Sequence, residues 1–319
     1  VRPNNAIRFA SFIKALHRLQ MKCCALAILI GTVSSMSAEE CDADVTNLLA
    51  VRSVEIKSDA QHTQPANACL QKHHIAGTMA ALNLQQSGAQ GLTVSGCPPT
   101  HPIDPPRTRF EIGSYLSHLN YTGVGVEVGV QKGFYTRKLL QGWRRAKMFI
   151  QVDLWEHQEN YEDLANVGQD AQNVNMQMSC TAGQAMKQQG YTQEVLQCKD
   201  YSTECAKLIP DDSIDFIYID ARHDRKGVLE DLQHYWPKLR EGGMIAGHDY
   251  MEQFEVPNQN WSLNYDGSVD ETGRVVKGAV DDFFSGVASE SPADLQKCPR
   301  QPVITYREPA TFNSWMVRK

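Results

Sequence analysis

Several short apolar runs in this chain end in residues that can do chemistry. Gly123 to Val128 carries Glu127 near its end and stops at Gly129; Lys147 to Val152 stops at Asp153; Ser213 to Ile219 stops at Asp220; Gly243 to Gly247 stops at His248-Asp249. A lone acid behind an apolar run is usually a loop residue or a helix cap. Coincident placements behind one run after another point instead to a ligand site at the mouth of a sheet, where side chains from different strand ends meet.

The glycines narrow the ligand. Gly129-Val130-Gln131-Lys132-Gly133 spells a tight turn whose two glycines let the backbone approach a bound molecule closely. A dinucleotide fingerprint needs glycine where Gln131 stands and a small residue where Phe134 stands, so the turn is a poor cradle for a pyrophosphate. Glu127, two residues before the first glycine, suits a cationic ligand better than an anionic one. S-adenosylmethionine, with its sulfonium and ammonium, is such a ligand. Asp153 fits an acid that accepts ribose hydroxyls, a role it would serve equally for NAD. Asp200 and Ser202, in the third crossover, would border the adenine.

The elements that must hold these residues are legible in the same runs. Residues 123–129, 147–153, 213–220 and 243–247 are β-branched and apolar enough for buried strands, while 134–143 and 227–239 carry helical spacing. Short apolar strands alternating with amphipathic helices predict a doubly wound α/β domain, a mostly parallel Rossmann-like sheet covered on both faces. The loop from Met251 to Arg274, with Phe254, Trp261 and Tyr265, is expected to be an acceptor lid, the last two aromatics serving as stacking platforms for a sugar.

Taken together, Gly125-Val126-Glu127-Val128-Gly129-Val130-Gln131-Lys132-Gly133, Val152-Asp153-Leu154-Trp155, Asp215 to His223, Glu230-Asp231-Leu232 and Gly242 to Tyr250 resemble successive motifs of the class I S-adenosylmethionine-dependent methyltransferases. The nearest group is that of the macrocin-type (macrolide sugar) O-methyltransferases. Residues 278–284 and 314–319 resemble its later helix and last strand, so the resemblance spans roughly 107–319. It implies metal-assisted O-methylation, with Asp220, His248 and Asp249 holding a divalent cation, magnesium or manganese, and His223 taking the proton from the acceptor hydroxyl. His248 departs from the family pattern, which commonly has an acid there. A nitrogen ligand disfavours magnesium and leaves manganese, iron or a metal-free variant open. Asp231 reads as a capping or packing residue. Two other classes stand beside this one: an NAD-dependent dehydrogenase or epimerase, and a secreted binding module that kept the fold without catalysis.

Charge and length set the remaining bounds. The 319 residues, 42% hydrophobic and 21% charged, have globular composition, and no stretch of about eighteen apolar residues gives a stable membrane span. The first 38 residues hold five basic side chains and no acid; the rest has 26 basic against 37 acidic residues, a net of −11. Such a body repels phosphate backbones, so the expected partner is a small molecule or a glycan and not a nucleic acid. Self-association into a homo-oligomer is left open.

Met21-Lys22, the apolar run to Val33 and the exit Met36-Ser37-Ala38 make a signal-like address over 1–38, with Met21 a candidate start; an acid-free organelle transit peptide is the alternative. The expected site of action is the secretory pathway. Residues 39–106 form an extension with possible helices at 44–56 and 74–84 and a proline-rich linker at its end, ahead of the catalytic domain at 107–319. The neighbours His73 and His74 project in different directions and do not read as a metal pair. Seven cysteines remain after the address, an odd number without C-x-x-C spacing, so at least one is expected to be free. Sequons begin at Asn120 and Asn260.

Overall fold

A computed structural model of the chain describes residues 72–82, 97, 103–308 and 312–319. The address at 1–38, the helix expected at 44–56, Cys41, Cys69 and the His73 side chain lie outside the described residues. Seven strands make one sheet in the order β3-β2-β1-β4-β5-β7-β6. They are β1 Val124–Val128, β2 Met148–Asp153, β3 Glu194–Lys199, β4 Ile214–Ile219, β5 Leu239–Gly247, β6 Val303–Ile304 and β7 Trp315–Arg318. The first five run parallel, and β7 inserts antiparallel between β5 and β6. This is the Rossmann-like class I fold.

The alternation of side chains along each strand sorts the core into two layers. Val124, Val126, Val128, Ile150, Val152, Ile217 and Ile245 face one way and pack with Val228, Leu229 and Leu232 of one helix and Val276, Val280 and Phe283 of another. Phe149, Phe216, Tyr218, Met244 and Ala246 face the other way, onto Ile112, Leu116, Leu139, Leu140 and Trp143. The helices are α1 Lys72–Ala81, α2 Ile112–His118, α3 Phe134–Gly142, α4 Gln169–Gln188, α5 Ser202–Ala206, α6 Arg225–Tyr235, α7 Val276–Ser285 and α8 Ala293–Lys297. In α1, Ile75 and Met79 stand four residues apart and are both buried in the first layer, so this piece of the expected extension adds to the core of the sheet domain.

Strand order reverses between β1 and β4, which opens a crevice at their carboxyl ends. The ladder carries on past the strands there: Gly129 donates its N–H to the Val152 carbonyl at 2.9 Å, Asp220 to Val128 at 2.7 Å and His248 to Ile219 at 3.1 Å. Gly129, Asp220 and His248 are thereby brought to one edge. Among the described residues no helix is long and apolar enough to cross a membrane.

All five described cysteines are disulfide-bonded, so the free thiol expected from the odd count is not among them. Cys198–Cys205 ties the end of β3 to α5, and Cys97–Cys298 joins positions 201 residues apart. Replacing Cys97 and Cys298 together by Ser should cost about 2–5 kcal/mol by releasing the unfolded chain; chemical denaturation under non-reducing conditions measures the loss.

Candidate active site

The floor of the crevice is polar although it lies inside the sheet. Glu127, Gln151 and Gln197 are partners in register across β1, β2 and β3, and all three are buried. Thr136 of α3 donates its hydroxyl to Glu127 and receives Gln151 Nε2–H at 2.8 Å; Ser179 of α4 donates to Gln151 Oε1 at 2.9 Å, and Gln197 Nε2–H reaches Ser179 Oγ at 3.1 Å. Burial pushes the Glu127 carboxyl up to about 8, with Thr136 working against the rise and Asp220 and Asp153 adding to it. The carboxyl expected to meet a cationic ligand thus lies within the core, hydrogen-bonded to a helix that starts at the glycine turn.

The turn lies directly on this floor. Gly133 takes φ +72° just before α3, and a Cβ there would lie 3.0 Å from Ser179 and 3.2 Å from Gln151 Nε2. Gly129 takes φ +86°, and a Cβ would run into the Asp220 carbonyl. Only glycine combines that conformation with that approach. Asp153 clamps the turn from β2: Oδ2 accepts the N–H groups of Val130 and Gln131, both at 2.8 Å, and Oδ1 accepts that of Trp155 at 2.7 Å. The buried Trp155 closes the ring by donating its indole N–H to the Gln131 carbonyl at 2.8 Å. A carboxylate offers about four acceptor positions, so Asp153 keeps about one, on Oδ1, for a ligand hydroxyl rather than the pair expected.

Across the crevice the ends of β4 and β5 bring a histidine between acids. Asp224 caps α6 by accepting the Gly227 N–H at 3.0 Å, which turns the 220–224 segment so that His223 is buried. His223 Nε2 lies 3.0 Å from Asp249 Oδ2 and 3.6 Å from Asp220 Oδ1, yet no hydrogen-bond angle is satisfied and the atom is left without a partner. Donor atoms of Asp220, His223 and Asp249 all lie within 4.8 Å of one another. On its far side His223 Nδ1 meets Asp163 Oδ2 at 2.9 Å. Burial works against protonating this ring, but Tyr161 and the carboxylates of Asp163, Asp220 and Asp249 outweigh it and raise its pKa well above the ordinary range. Burial would also raise Asp249, but the His223 and His248 rings beside it hold it well below the usual carboxylate range. Asp249 takes φ +55°, a backbone position uncommon outside glycine. Arg109 reaches Asp220 at 3.3 Å from the opposite wall.

His248 stands one step back from this group. Its Nδ1 lies 2.7 Å from Asp249 Oδ1 and 4.0 Å from Asp220, and its ring stacks on Phe312. Asp200 and Ser202, expected to border an adenine, follow β3; the Asp200 carboxylate accepts the Tyr201 N–H at 2.8 Å and Ser202 hydrogen-bonds Asp231. Burial pushes Asp231 up to about 7. Trp261 is no stacking platform: it is 2% exposed, its ring 4.4 Å from that of His223 and its N–H on Asp163 at 2.9 Å. Tyr265, at 44%, stays exposed. Sequence reasoning passed over Asp163, Thr136, Gln151 and Gln197. Only the last two left a signal, each standing two residues before its strand's end just as Glu127 stands two before Gly129.

Residues 126–250, which hold the whole of this constellation apart from Arg109, Trp261 and the Phe312 neighbour, match the family model of a methyltransferase domain. The chain carries a class I methyltransferase domain. The match supports an S-adenosylmethionine-dependent methyltransferase over the dehydrogenase alternative. Among solved structures it is similar to a protein of Corynebacterium glutamicum, at 12% identity over 85% of this chain and 97% of that one, TM-score 0.41. It is also similar to an O-methyltransferase family protein of Burkholderia thailandensis, at 12% identity over 66% of this chain and 55% of that one, TM-score 0.40. No curated protein matches. Likenesses this loose leave the chemistry to the site itself.

Glu127 gives the methyltransferase domain a measurable pH signature. Between the ordinary carboxylate pKa and about 8 the folded chain keeps a proton that the unfolded chain releases, so folding stability falls as pH rises through that window. Glu127→Gln removes the linkage. From pH 5 to pH 8 the wild type should lose more than about 1 kcal/mol relative to the variant in urea titrations; parallel curves would contradict it.

Proposed function

We propose that the protein methylates a hydroxyl of a small molecule or a sugar, with a divalent cation held by Asp220, His223 and Asp249. The observation that carries this is the buried, unpartnered Nε2 of His223 facing two carboxylates across the β1/β4 crevice from the glycine turn. Two carboxylates and an imidazole are a donor set that suits manganese or iron better than magnesium. When bound, such an ion supplies the positive charge that stabilises a developing alkoxide, which an alcohol needs at neutral pH. S-adenosylmethionine, when bound, supplies the electrophilic methyl.

The chain's own residues do the rest. The turn Gly129 to Gly133 brings backbone against the donor, and Asp153 holds that turn while offering its remaining acceptor position. His248 is oriented by Asp249 through Nδ1, so its Nε2 is the atom that takes the hydroxyl proton. This exchanges the two histidine roles that the family resemblance implies. The resemblance's assignment, His248 as ligand and His223 as base, is the second reading; the 4.0 Å from His248 Nδ1 to Asp220 favours it less than the 3.0 and 3.6 Å contacts of His223 favour the first.

The acceptor class follows from surroundings rather than from a contact. An acidic body, disulfides at all five described cysteines and an exposed sequon residue Asn120 support the lumen of the secretory pathway, where glycans and exported metabolites are the hydroxyl-rich substrates. The other sequon residue, Asn260, is half-buried in a bridge to Glu162.

Labelled-methyl transfer to a panel of hydroxylated acceptors, with and without Mn²⁺, tests donor, cation and acceptor together. Turnover should need Mn²⁺ and should fall at least about 10²-fold in Asp220→Asn or Asp249→Asn. His248→Gln should lose about 10²–10⁴-fold in kcat while still binding Mn²⁺, and His223→Gln should lose the ion itself. The opposite pattern would restore the second reading.

A further inference from the structure

Asp163 lies between β2 and α4, in a stretch without motif or periodicity, yet it stands behind the proposed cation centre. Its side chain is 5% exposed. Oδ1 accepts the Ala165 N–H at 2.7 Å, which fixes the carboxylate to its own loop. Oδ2 faces His223 Nδ1 at 2.9 Å and accepts the Trp261 indole N–H, also at 2.9 Å. Among the described residues no lysine or arginine pairs with it. The geometry is therefore that of an acceptor whose one function-bearing contact is an imidazole.

We propose that Asp163 is the positioning residue of the cation centre, setting the His223 tautomer and tying the centre to the 251–274 loop through Trp261. A neutral imidazole carries one N–H, and the hydrogen bond at one nitrogen decides the state of the other. With the hydrogen on Nε2, the Nδ1 lone pair would face a carboxylate oxygen at 2.9 Å, two acceptors in contact. With the hydrogen on Nδ1, that contact becomes a hydrogen bond, and the Nε2 lone pair faces the carboxylates of Asp249 at 3.0 Å and Asp220 at 3.6 Å, a contact between acceptors that a cation held among them would turn into ligation. Carboxylates placed this way behind a ligating histidine fix its orientation and raise its basicity. The Trp261 N–H holds the same oxygen from the opposite side, and its ring packs at 4.4 Å on His223, so the 251–274 loop contributes to the orientation of a ligand it never touches. The inference rests on the cation reading above and deepens it.

The test is Mn²⁺ binding to the full chain without acceptor, read by calorimetry, together with imidazole ¹⁵N shifts of the metal-free protein and S-adenosylmethionine affinity as the control. Asp163→Asn should weaken Mn²⁺ binding about 10–100-fold and shift His223 from a single Nδ1–H tautomer to a mixture, with donor affinity within about twofold. Trp261→Phe keeps the packed ring and removes only the N–H; it should weaken Mn²⁺ severalfold, and it carries the test if Asp163→Asn does not fold. Unchanged Mn²⁺ affinity in the folded variants, with the wild type binding, overturns the role of Asp163 alone. Absence of Mn²⁺ binding in the wild type overturns both this role and the cation reading beneath it.

Discussion

The row Glu127–Gln151–Gln197 is the constraint on which the rest of the site depends. Buried polar groups without partners are costly, and Glu127, Gln151 and the Gln197 Nε2–H find theirs only when β1, β2 and β3 hold one register and when Thr136 and Ser179 descend on them from α3 and α4. A slip of one residue in any strand would carry its polar member to the Val126–Ile150 side, where the layer is apolar. Register, helix placement and the seat of the glycine turn are thus one condition. Most strands in such sheets are fixed by apolar packing alone; here three are also fixed by hydrogen bonds that no apolar substitution can replace.

From that fixed floor the two walls of the crevice follow. On one side Asp153 uses three of its acceptor positions on backbone N–H groups, so the turn is shaped before any ligand arrives. On the other, the cap at Asp224 and the unusual backbone of Asp249 direct side chains inward that would otherwise point to solvent. Gly129 joins the walls, since its missing side chain is what lets the turn lie against the Asp220 carbonyl. Preorganisation of this kind is where a transferase gains rate, because the reacting atoms must be held in line at close range.

The strand ends were legible in the sequence because several apolar runs in succession stop at glycine or acid, and β1, β2, β4 and β5 all announce themselves that way. The third strand, Glu194–Lys199, did not: it has an interior glutamine and polar flanks, and only cross-strand partners make sense of them. Helix α4 is rich in Gln and Asn and hides for the same reason. Which of His223 and His248 faces Asp220 and Asp249 more closely was illegible on physical grounds, because the direction of a side chain just beyond a strand depends on the local backbone, such as the positive φ of Asp249, and not on spacing. Trp261 misled for a related reason: an aromatic in a polar loop looks like a binding surface, and nothing nearby in the chain reveals that a distant acid takes its N–H. Glu127 was found by position, but its burial, and with it the neutral state of its carboxyl, belongs to tertiary structure.

The bond between Cys97 and Cys298 encloses every strand but the last two and every catalytic candidate within a single covalent ring. A protease that nicks any one loop inside that ring, the 251–274 segment included, leaves both halves attached and the sheet still paired. That topology separates being cut from being lost: one backbone cleavage becomes a wound that leaves the chain in one piece, until a reductant opens the ring.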